Sequence, residues 1–114
     1  LWGSGASKRE FLHVSDLARA VLKTSENYDS SMHLNIGTGS DLTIKELAGK
    51  VAAAAGFTGE IEWDTSKPDG TPQKVLDVSK IKALGWEPTI TLEAGIASTI
   101  AWYKEASARG EVRK

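Results

Sequence analysis

The chain has 114 residues, 40% of them hydrophobic, which suffices for one ordinary domain with one core and excludes a second large domain. Fourteen Lys plus Arg against fifteen Asp plus Glu give a net charge of −1, so no global field draws the chain to nucleic acid or to an anionic membrane. The absence of cysteine excludes disulfides, thiolate nucleophiles and thiolate metal sites together, and the length is too short for a complete doubly wound dinucleotide-dependent dehydrogenase.

No apolar run approaches the roughly 18 residues of a membrane span, and no basic-then-apolar signal segment stands at the front, so the cytoplasm is the default expectation. The chain opens at Leu1 without a Met and reads as a piece of something longer. Gly3 to Lys8 is small and polar, as a loop is, and residues 10–14 read as a short strand bounded by turn residues. Ser15 or Asp16 is placed to cap a helix in which Leu17, Ala18, Val21 and Leu22 form one apolar stripe through about Glu26. Asn27 to Ser31 is a polar connection. Met32 to Ile36 alternates apolar and polar residues, the period of a half-buried strand, and Gly37-Thr38-Gly39 ends it.

The next helix is the best-specified element. Thr43 and Glu46 have the spacing of a capping box, Leu42 and Leu47 occupy the two staple positions, and Ile44, Leu47, Ala48, Val51 and Ala55 keep the helical period until Gly56. Glu60 to Asp64 alternates again, predicting a strand with Ile61 and Trp63 inward and its three acids in water. Thr65 to Pro72 holds two of the three prolines and reads as loop. Val75 to Asp77 can pair briefly. Ser79 then caps a short helix holding Ile81 and Leu84, which Gly85 stops ahead of Trp86 and Pro88. Thr91 caps a long helix with Leu92, Ile96, Ile100 and Tyr103 on one stripe and Glu93 in its first turn, and the tail Arg109 to Lys114 is polar enough to fray.

Several constellations point to chemistry less well than they first suggest. Gly37-Thr38-Gly39 lies between a strand and a helix like a dinucleotide fingerprint, but Leu42 stands where the third glycine belongs and no acid ends a second strand about 20 residues on. A strand-to-helix turn is the better account. Glu60, Glu62 and Asp64 share a face, yet nothing nearby would separate their pKa values for acid–base work. The two imidazoles, His13 and His33, lack ligand spacing to other donors and favour ordinary strand positions over a metal site. Neither Tyr28 nor Tyr103 has a Lys four residues on, and no Ser sits in a nucleophile elbow.

Trp2, Arg9 and Asp69 remain. An indole in a Gly/Ser loop has no obvious core role and can stack on a flat base or sugar. A guanidinium can fork onto phosphate oxygens, and an acid in the turn Lys67-Pro68-Asp69-Gly70-Thr71-Pro72 can accept from sugar hydroxyls or the N–H edge of guanine. The competing reading is equally available: a frayed Trp2, an Arg9 paired with a surface acid, and an Asp69 that only shapes a Pro-Asp-Gly turn.

These residues also carry a family likeness. Leu1-Trp2-Gly3-Ser4-Gly5, Arg9-Glu10-Phe11-Leu12-His13-Val14, Asn35-Ile36-Gly37-Thr38-Gly39, Thr43-Ile44 with Glu46-Leu47-Ala48, and Trp63 through Val78 with its Lys-Pro-Asp-Gly-Thr block resemble the C-terminal part of the GDP-L-fucose synthase family. The likeness continues through Leu84-Gly85-Trp86 and Leu92 to Ile96 as far as Trp102. The Arg-Glu-Phe-Leu-His-Val block is shared in kind with many extended short-chain dehydrogenase/reductase enzymes. The resemblance implies an α+β fold for residues 1–114: one C-terminal substrate-binding lobe with short strands and about four helices, lacking the Rossmann cofactor domain. It implies an NADP-dependent parent enzyme that epimerises GDP-4-keto-6-deoxy-D-mannose and reduces it with NADPH, with Trp2, Arg9 and Asp69 on the GDP-sugar. The catalytic and cofactor residues would lie in the missing part, through which the parent forms a homodimer, and the piece alone would be inactive. Two alternatives are the C-terminal part of another nucleotide-sugar epimerase or dehydratase, and a binding or interaction module with no enzymatic parent.

Overall fold

The structure, a computed structural model, describes residues 1–112. The sheet is minimal. Strand β1 (Lys8–Arg9) lies between β2 (Leu42–Thr43), to which it is antiparallel, and β3 (Gln73–Lys74), to which it is parallel. Lys8 faces Thr43 on one side and Gln73 on the other. Hydrogen bonds from Lys8 N to Pro72 O (2.8 Å) and from Ile44 N to Ser7 O (2.9 Å) extend the pairing past the strands. The strand expected at residues 10–14 is therefore shorter and earlier, because the Glu10 carboxylate is drawn sideways to other loops and a helix already begins at Val14.

Helix α1 (Val14–Asn27) is capped by His13, whose Nδ1 accepts from Ser15 N at 3.2 Å, and not by Ser15 or Asp16 as the sequence suggests. Asp16 is fully buried. Its carboxylate accepts from the amides of Thr89 (3.1 Å) and Ile90 (2.9 Å) and from the Arg19 guanidinium. Leu17, Val21 and Leu22 of the expected apolar stripe are exposed, and Ala20 and Asp16 are the buried positions of α1. The periodicity marks a face that no described element of this chain covers.

Helix α2 (Ile44–Ala55) keeps its expected capping box: Glu46 N donates to Thr43 Oγ1 (3.1 Å) and Thr43 N donates to Glu46 Oε2 (2.8 Å), while Gly56 ends the helix at φ 73°. Helix α3 (Ser79–Ala83) has no side-chain cap at Val78; instead Asp77 accepts from Ser79 N at 2.9 Å, just before the first turn. Helix α4 (Leu92–Ala108) starts at Thr91 as expected, with Ala94 N donating to the Thr91 hydroxyl at 3.3 Å. It packs on α2, and Lys50 reaches Glu93 across the pair at 2.6 Å. Of its expected stripe Leu92, Ile96 and Ile100 are half-buried, whereas Tyr103 is exposed and Ala106 is buried in its place. Past α4, Arg109 forks onto the Glu111 carboxylate at 3.0 Å; Arg113 and Lys114 of the expected fraying tail lie outside the described residues.

The strands expected at 32–36 and 60–64 do not form, and the pairing expected at 75–77 falls at β3 instead. Side-chain alternation survives without a strand partner. Leu34 and Ile36 pack against the core of Ala20, Val78, Ile81 and Trp86, while the side-chain Nδ2 of Asn35 donates to Asp77 O at 3.1 Å. Ile61 and Trp63 are half-buried and their neighbouring acids exposed, but the backbone makes only the bridge between Trp2 and Asp64. Among the described residues, four helices and a small sheet agree with the expected α+β class.

Candidate functional site

The opening loop lies along the proline turn because its glycines let the two backbones touch. Gly3 N donates to Asp64 O (2.9 Å) and Asp64 N to Leu1 O (2.7 Å), which fixes Trp2 beside the turn. Gly3 has φ +80°, and a Cβ there would stand 2.3 Å from Asp69 Oδ1, so glycine is required both by conformation and by space. Beyond it Ser4 binds Asp69 twice, from its amide to Oδ1 (2.6 Å) and from its hydroxyl to Oδ2 (2.7 Å), and the Ser7 hydroxyl donates to Asp69 O (2.8 Å). The Ser4 hydroxyl and amide hold the Asp69 carboxyl below the usual carboxylate range.

Arg9 approaches the same turn from β1. Its Nη1 donates to Lys8 O (2.6 Å) and Thr71 O (2.7 Å), which clamps the guanidinium over residues 70–71 and leaves its remaining N–H donors without a carboxylate partner among the described residues. Trp2 is 78% exposed, with Lys67 Nζ lying 5.8 Å from its ring centroid. The three residues singled out from sequence thus converge on one turn, residues 67–72. The structure also assigns Asp69 a job that the sequence did not reveal, which is to hold the loop bearing Trp2. The Gly5 backbone N–H also lowers this carboxyl, so with the two Ser4 donors about one of its roughly four lone-pair positions is left over.

Sequence reasoning missed Ser4, Lys67 and Glu10. All three lie inside the motifs quoted above, but a polar loop residue, a turn lysine and an acid beside a strand carry no pattern of their own. Glu10 answers the question of the glycine turn. Its Oε1 accepts from Gly39 N (2.6 Å) and the Thr38 hydroxyl (3.2 Å), its Oε2 accepts from Leu76 N (2.8 Å), and a Cβ on Gly37 would meet Oε1 at 2.3 Å. An internal carboxylate occupies the place a pyrophosphate would take, so these residues do not fit a dinucleotide. His13 is a helix cap, not a strand residue, with Nε2 3.4 Å from the Ser98 hydroxyl. Among the described residues no group of three or more His, Asp or Glu is placed to hold a metal ion. What gathers at the turn is an indole, two cations and an anchored carboxylate, a set whose chemistry suits a flat, anionic, hydroxyl-bearing molecule.

The profile of the NAD dependent epimerase/dehydratase family matches residues 1–37. Over 105 residues the chain is 50% identical to a probable GDP-L-fucose synthase 1 of Oryza sativa subsp. japonica, covering 92% of this chain and 32% of that protein. It is 46% identical to the GDP-L-fucose synthase of Escherichia coli K12, covering 92% of this chain and 36% of that one. Among solved structures, a GDP-L-fucose synthetase from Naegleria fowleri bound to NADP superposes with a TM-score of 0.90 at 30% identity, over 98% of this chain and 36% of that chain. The chain therefore spans about a third of the length of the relatives it matches.

Proposed function

From a likeness to GDP-L-fucose synthases that runs through 92% of this chain, we propose that residues 1–114 are the substrate-holding lobe of such an enzyme and that the turn at residues 67–72 receives a GDP-sugar. The observation that carries this reading is the meeting of Trp2, Arg9 and Asp69 on that one turn. Trp2 stacks on a flat face of the ligand, Arg9 faces its phosphates, and the Asp69 carboxylate accepts from a sugar hydroxyl or the guanine N–H edge. The rest of the parent enzyme would hold NADPH, which gives the hydride when bound, and would carry the proton-transferring groups and the homodimer contact. The parent converts GDP-4-keto-6-deoxy-D-mannose to GDP-L-fucose in the cytoplasm, while this lobe binds and does no chemistry.

The test is a calorimetric titration of the 114-residue chain with GDP-, UDP- and dTDP-sugars. A preference for GDP, lost in Asp69→Ala, is the expected outcome; equal affinity for all three favours another nucleotide-sugar epimerase or dehydratase, and no binding to any favours a module of another kind. In the same preparation NADPH with the keto-sugar is expected to show no oxidation above the protein-free rate. Turnover would overturn the division of labour proposed here.

A further inference from the structure

Most charged groups at the turn are already engaged. Both Asp69 oxygens accept from Ser4, and Nη1 of Arg9 is spent on the carbonyls of Lys8 and Thr71. Lys67 differs. Its backbone is tied, with Lys67 N donating to Asp64 O at 3.2 Å, but its ammonium has no carboxylate within salt-bridge reach among the described residues. Instead Nζ lies 5.8 Å from the Trp2 centroid, inside the range in which a cation is attracted to an indole face. A lysine with an unspent charge, a flexible four-carbon stem and a fixed root beside a stacking platform is suited to meet an anion arriving at that platform.

We infer that Lys67 is the phosphate-recognising arm of this site: its ammonium rests over Trp2 in the free chain and moves onto the diphosphate of a nucleotide-sugar when that ligand stacks on the indole. The inference rests on the ligand reading above and deepens it by naming the counter-charge. Arg9 keeps Nη1 on its two carbonyls and offers its other N–H donors to the phosphates from a fixed position, while Lys67 is the part that moves.

The probe is GDP-mannose, titrated into the 114-residue chain at low and at high salt. Lys67→Met keeps the length of the side chain and removes its charge; it is expected to weaken binding roughly tenfold at low salt and to flatten the loss of affinity with salt. Lys67→Arg should restore most of that loss. Unchanged affinity and salt dependence in Lys67→Met, alongside a loss in Trp2→Ala, overturns the role of Lys67 and leaves the ligand reading intact. Weakened binding with an unchanged salt slope also overturns it, because Lys67 would then act only by packing on the ring. Absence of GDP-mannose binding by the unaltered chain, or Trp2→Ala and Arg9→Ala variants that bind as well as it does, overturns both.

Discussion

Asp16 shows how much one side chain can decide. Burial alone would push its carboxyl upward, yet the Arg19 guanidinium and the amides of Ile90 and Thr89 overcome that and hold it at about 2, against an ordinary 3.8. A carboxyl whose folded value is depressed stabilises the fold above its unfolded pKa and loses that contribution as pH falls through the folded value. The contribution of about 2 kcal/mol is thus complete above roughly pH 4 and vanishes toward pH 2. Of the stability lost between urea titrations at pH 6 and at pH 2.5, Asp16 should account for about 1.5 kcal/mol beside the smaller shares of other lowered carboxyls such as Asp69 and Asp77, and the loss should shrink by that amount in Asp16→Asn. The amide removes the charge and presents an NH2 where N–H donors already converge, so this variant should also be less stable at pH 6 by about 3 kcal/mol. The sequence offered Asp16 only as an alternative helix cap, because two of its partners, the amides of Thr89 and Ile90, lie more than 70 residues away.

At the scale of elements, the helices were legible and the strands were not. Thr43 with Glu46, and Thr91, satisfy backbone amides three residues away, so their signals are local and survive in the structure. Residues 32–36 and 60–64 alternate just as strands do, but a strand also needs a neighbour of matching register, which no local pattern encodes. The candidate site was half legible for the same reason. Trp2, Arg9 and Asp69 stand out by residue type, whereas the pairing of Ser4 with Asp69 across 65 residues does not. That pairing makes the opening loop depend on Gly3. Gly3→Ala places a methyl against Asp69 Oδ1 in a backbone conformation that alanine disfavours, which should release the loop. The expected result is GDP-sugar affinity reduced as far as in Trp2→Ala, with a global stability change of only about 1 kcal/mol, read by calorimetric titration beside urea unfolding.

The whole molecule carries an imbalance between its pattern and its burial. Helix α1 has a clear apolar face, yet Leu22 is 64% exposed, Val21 54% and Leu17 42%, while the core cluster is drawn largely from residues 78–86. An amphipathic helix whose apolar side meets no described element gains little from that side, so its hold on the fold comes from Ala20, Asp16 and the His13 cap. Two substitutions separate these contributions. Leu22→Glu should alter the stability of the 114-residue chain by less than about 0.5 kcal/mol, as surface changes do, whereas Ile81→Ala should cost about 3 kcal/mol because Ile81 is fully buried. If Leu22→Glu proves as costly as Ile81→Ala, the apolar face of α1 is covered in solution, by a second copy of the chain or by a repacked helix, and sedimentation of the two variants distinguishes these. A small cost places the stability of this lobe in the 78–86 cluster and its contact with α1, and leaves the α1 face free of any duty within the chain itself.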